Sequence, residues 1–184
     1  PDLATVRTQE MQQAAALFGA TLTLWALPDG GQLPGWDAAS GGHTALIQRV
    51  RNFLENLAPD LIVTFDPRHG ATCHGDHRAT AAVVLEARAG LAPLPTTFLL
   101  ETRVEVRQSP PFIGYSPAAT ARASAFGYPA TPDIEGVAGT WSFAAAAARL
   151  HRSQFSPGTL RALGHLPATQ RVVYLAPADP VLDD

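Results

Sequence analysis

Three of the chain's six histidines, His69, His74 and His77, fall in one stretch, Asp60 to Thr80, reading DLIVTFDPRHGATCHGDHRAT. His74 and His77 are three apart where a helix is expected to begin, so their side chains can lie on the same side of its first turn. A helix N-terminus carries partial positive charge, which disfavours imidazolium. Neutral imidazole is the form that ligates zinc. Asp76, between them, can cap the helix or accept the other ring N–H of a neighbouring histidine and fix its tautomer. Spacing alone leaves two readings open: a polar loop with an ordinary helix cap, or part of a metal site. Two histidines do not complete the second, because a zinc site takes at least three protein ligands. His43, ahead of a helix, and His165, in a Gly/Pro-containing stretch, read as surface residues. Cys73 reads as a small packed residue, since a nucleophilic cysteine needs a base and an electropositive pocket.

These side chains need a strand to deliver them and a helix to receive them. Leu61 to Phe65 is a short β-rich apolar run, the pattern of a strand buried on both faces. Asp66-Pro67 stops it, Gly70 and Gly75 let the loop turn, and residues 76–89 read as helix. The carboxyl end of a parallel strand is where open α/β sheets place ligands. Upstream, residues 3–18 read as a helix with Leu3, Val6, Met11, Ala14, Leu17 and Phe18 on one side. Thr21 to Leu27 reads as a buried strand, Pro28-Asp29-Gly30-Gly31 as a turn, and 32–42 as a polar loop. Residues 44–57 form the clearest amphipathic helix, with Leu46, Val50, Phe53, Leu54 and Leu57 on one face, Thr44 as N-cap and Pro59 as the stop. Downstream, 96–107 reads as a strand, 140–155 as an alanine-rich helix ended by Pro157-Gly158, and 171–175 as a last strand. Residues 108–139, rich in Pro, Gly, Ser and Ala, carry no clear pattern. A chain that opens on a helix and continues strand, helix, strand looks like a doubly wound α/β fold cut partway in. The expectation is one domain over residues 1–184.

The length of 184 residues suffices for one domain with a core, and the 46% apolar, 16% charged composition is that of a globular chain. All thirteen basic residues are arginine. The absence of lysine removes Schiff-base chemistry and a P-loop lysine. A net charge of −3 without a basic run gives no support to nucleic-acid binding. A single cysteine excludes an internal disulfide. No apolar stretch is long enough to span a membrane and no signal peptide is visible, so the expected compartment is the cytoplasm.

The strand, loop and helix entry at 60–80 resemble the second signature of the LmbE/PIG-L family, zinc-dependent de-N-acetylases acting on N-acetylglucosamine-type sugars. That signature ends His-Pro-Asp-His-Arg; here it reads His74-Gly75-Asp76-His77-Arg78. Arg7-x-x-Glu10, Leu27-Pro28-Asp29-Gly30 and His151-Arg152-Ser153-Gln154 match further pieces of the family pattern, in order. The resemblance implies a Rossmann-like, doubly wound, mostly parallel sheet with helices on both faces, lacking its first strand. It implies one Zn2+ ion with His77 as ligand, and His74 as the group that stabilises the oxyanion or protonates the leaving amine. Asp76 would orient His74, and Asp29 and Arg7 would lie at the sugar. His151 and Gln154 read as structural, and Arg7 with Glu10 could be a plain helix-surface ion pair. The family's first signature, a strand ending Ala-His-Pro-Asp-Asp-Glu, is absent. It would supply the other two zinc ligands and the general base, and is expected upstream of Pro1. Without it the chain should bind zinc poorly and expose an apolar sheet face, so a completing N-terminal fragment or a homo-oligomer is expected as partner. Two other readings stand beside this one: a metal-free binding or interaction domain, and a different hydrolase in which His69, His74 and His77 share a metal.

Overall fold

Leu46 has no solvent exposure, and the core is built around the helix that carries it. This computed structural model describes residues 2–68, 70, 74–101, 134–137, 141–165 and 172–178. Helix α3 (His43–Leu57) turns Leu46, Ile47, Val50 and Leu54 inward, the spacing of one helical face. They pack with Trp36 of α2 (Gln32–Ser40), Ile62 of β1 (Leu61–Phe65) and Ala79, Val83 and Ala87 of α4 (Gly75–Arg88). Two details of the expected α3 change. Leu57 is exposed in the last turn while Ile47 takes a core position. Gly42 precedes the helix without a side-chain cap, so Thr44 lies inside it instead of capping it.

The remaining elements are α1 (Leu3–Leu17), β2 (Thr96–Glu101), β3 (Ile134–Val137), α5 (Trp141–Leu150), α6 (Pro157–Gly164) and β4 (Val172–Pro177). The sheet runs in the order β1-β2-β4-β3. β1 and β2 are parallel, with Leu61 opposite Thr96 and Phe65 opposite Leu100, and α4 makes the crossover between them. β4 is antiparallel to both β2 and β3. The chain is α/β, as expected, but among the described strands the sheet is mixed rather than mostly parallel. No helix among the described residues is long and apolar enough to cross a membrane.

Four local expectations are corrected. Residues 32–40 are a helix, not a loop, because Trp36 is buried in the core and its Nε1–H donates to the Pro28 carbonyl (2.9 Å). Residues 21–27 form no ladder among the described residues; side chains hold them instead, with Trp25 edge-on to Phe53 (5.5 Å) and beneath the Arg49 guanidinium (4.7 Å). Pro157-Gly158 opens α6 rather than closing a helix, with the Ser156 hydroxyl accepting the Thr159 N–H (3.1 Å). β1 is buried on one face only: Ile62 and Thr64 point into the core, while Leu61 and Val63 are 51% and 54% exposed. Among the described strands β1 is an edge of the sheet, and α4 packs against it.

Candidate active site

The site is assembled at the carboxyl end of β1, where the chain leaves the strand and enters α4. His74 is the N-cap of α4: its ring Nδ1 accepts the main-chain N–H of Asp76 (3.2 Å), satisfying a donor that helix geometry leaves open. With Nδ1 accepting, the ring proton of His74 sits on Nε2. Asp76 therefore orients His74 through its backbone, not its carboxylate. The carboxylate turns the other way and accepts the N–H groups of Gly30 (2.6 Å) and Gln32 (2.8 Å). It thus ties the Pro28–Gly31 turn and the start of α2 to the first turn of α4.

His77 stacks flat on Phe65, the last residue of β1, with ring centres 4.1 Å apart and planes within 1°. Its Nδ1 bonds the Gly70 carbonyl (3.1 Å), and its ring centre lies 5.1 Å from that of His74. Burial pushes its pKa below the ordinary imidazole value, with the Gly70 carbonyl opposing the shift and the nearby His74 adding to it. A carbonyl partner on Nδ1 puts the ring proton there and leaves Nε2 as the lone-pair nitrogen, the form a metal takes. His77 fits a ligand's role. Among the described residues, no group of three or more His, Cys, Asp or Glu side chains is placed to hold an ion. His69 and Cys73 lie outside the described residues.

Arg7 and Glu10 do not pair with each other. The Arg7 guanidinium forms an ion pair with Asp29, whose side chain remains largely exposed. Glu10 is buried against the turn after α5, where its carboxylate accepts the Ser153 N–H (2.8 Å) and hydroxyl (2.6 Å). Those bonds hold its pKa below the ordinary carboxylate value. His151 and Gln154 bond each other across that turn (3.4 Å). His43 is more than a surface residue: its ring bridges Asp37 of α2 and Glu86 of α4, at 3.0 Å each. Two site-facing residues escape the sequence reading. Gln32 supplies an N–H to Asp76 (2.8 Å). Asp66 is a buried carboxylate that accepts the Arg68 N–H (3.1 Å) while its carbonyl takes the Gly70 N–H (2.7 Å). The available signal for Asp66 is an acidic residue directly after an apolar strand.

An α/β chain with a histidine-bearing loop at a strand's carboxyl end defines the class. Residues 1–88 match the family described as GlcNAc-PI de-N-acetylase, PIG-L. That stretch contains Arg7, Asp29, His74, Asp76 and His77, and over it the chain is similar to the PIG-L family. The fold is similar to the crystal structure of the conserved protein TT1542 from Thermus thermophilus, with TM-score 0.63 and 18% identity, covering 100% of this chain and 77% of that one. No curated protein matches the chain.

Proposed function

We propose that the protein is a zinc-dependent hydrolase that removes the N-acetyl, or a related N-acyl, group from an N-acetylglucosamine-type sugar or glycoconjugate. The observation that carries this reading is one hydrogen-bonded connection. Asp76, between the two histidines, holds the Asp29-Gly30 turn, and Asp29 in turn holds Arg7. Three pieces of sequence far apart in the chain thereby meet, all within the stretch that matches the de-N-acetylase family.

His77 would hold the ion through Nε2, and since the described residues supply no group of three ligands, others would complete the site. When bound, zinc would polarise the amide carbonyl and the attacking water. His74, a neutral ring with Nδ1 committed to the Asp76 N–H, would present its Nε2–H to the carbonyl oxygen as that atom gains charge. Asp76 is a positioning residue, acting through the N–H that fixes the His74 ring and the carboxylate that fixes the turn. Asp29, exposed and steadied by Arg7, accepts sugar hydroxyls. Two substitutions separate these roles in protein made from its whole coding sequence. His77→Ala should lose zinc by elemental analysis. His74→Ala should keep zinc and lose about 10²–10³-fold in turnover. Full turnover in His74→Ala would sink the assignment.

A further inference from the structure

Positive charge collects at a second place, between α5 and α6. Arg149, Arg152, Arg161 and His165 line one concavity of about 450 Å3, whose walls also include Leu160 and Pro157. Among the described residues no carboxylate lines it. The chain as a whole carries sixteen acidic residues against thirteen arginines, so this gathering runs against the overall sign. Arg7, by contrast, has Asp29 as its partner. None of these three arginines pairs with a carboxylate among the described residues; Arg152 makes one hydrogen bond, from Nε to the Arg149 carbonyl (3.4 Å).

The backbone leaves room for these side chains. A Cβ at Gly164 would stand 3.3 Å from Nη2 of Arg149, and one at Gly158 would stand 4.0 Å from Nη2 of Arg161. Arg149, at the end of α5, thus reaches across to the end of α6, toward His165. The partial negative charge of a helix C-terminus accounts for Arg149, Arg161 and His165 taken singly. It does not account for three guanidinium groups lining one hollow, Arg149 and Arg161 from the last turns of two helices and Arg152 from the turn after α5, where a shared anion would relieve their mutual repulsion. Guanidinium is a planar fork that matches phosphate oxygens in pairs, and a hollow of this volume is in the range of small-ligand sites.

We propose that this concavity binds a phosphate-bearing anion, either a soluble phosphate compound or a phosphorylated lipid headgroup. The test titrates the full protein by calorimetry with inorganic phosphate and with glycerol 3-phosphate, and measures its sedimentation with vesicles of phosphatidylserine and phosphatidylcholine in equal parts. Variants are Arg149→Gln, Arg161→Gln and, as a control for net charge, Arg49→Gln, with melting curves to confirm that each folds. Binding that weakens about tenfold with each pocket arginine removed, and is unmoved by Arg49→Gln, supports the site. The soluble arm then assigns a free phosphate compound, and binding in the vesicle arm alone assigns a headgroup. No binding in any arm, or binding that Arg49→Gln weakens as much as the pocket variants, overturns the proposal.

Discussion

Gly70 carries two constraints that both end on His77. Its carbonyl bonds the His77 ring, and its backbone sits at φ +60°. A Cβ there would stand 2.9 Å from the His77 Cβ and 3.0 Å from the Arg78 nitrogen. Gly70→Ala should therefore cost about 1–2 kcal/mol for the left-handed conformation alone. By displacing the imidazole it should also weaken zinc binding about tenfold or more. Thermal melting and a chelator competition titration measure the two separately; unchanged zinc affinity would mean that Gly70 does not set the ring. At this scale the histidines were legible because their spacing is local, and so was the turn glycine. The acceptor role of Asp76 was not. The sequence offered a helix cap or a ring partner, both local choices, whereas the carboxylate bonds N–H groups 44 and 46 positions away.

Among the elements, α2, α3 and α4 share one polar clamp beside their apolar contacts. His43, the first residue of α3, is held by Asp37 and Glu86, and both raise its pKa above the ordinary value of 6.5. A folded-state pKa raised above the unfolded one makes a contribution that is fully present below the unfolded value and is lost as pH rises through the folded value. Melting temperatures of the protein and His43→Gln should accordingly differ most on the acidic side of 6.5, down to where the carboxylates protonate, and converge above the raised value. A gap that instead widens with rising pH contradicts the clamp. The helices α3 and α4 and the strand β1 were legible because apolar periodicity and flanking breakers agree. Helix α2 was hidden because Gly31, Pro34 and Gly35 read as loop residues, and burial of Trp36 overrides that propensity. Residues 21–27 have strand composition, but a strand also needs a neighbour to pair with, and composition cannot supply one.

For the molecule as a whole, the sequence pattern carried the α/β class and the order of most elements, while the sheet's directions depended on pairings that no window of sequence contains. β4 runs antiparallel to its neighbours, and one side of β1 keeps Leu61 and Val63 half exposed. The proposed chemistry rests on the family match over residues 1–88 and on the connection from Arg7 through Asp29 and Gly30 to Asp76. The most direct measurement is release of free amine from an N-acetylglucosamine glycoside by protein made from its whole coding sequence, with zinc present and after chelation. Amine release that chelation abolishes and zinc restores is the predicted result. Zinc-loaded protein that releases no amine, or release indifferent to chelation, would contradict a zinc-dependent de-N-acetylase.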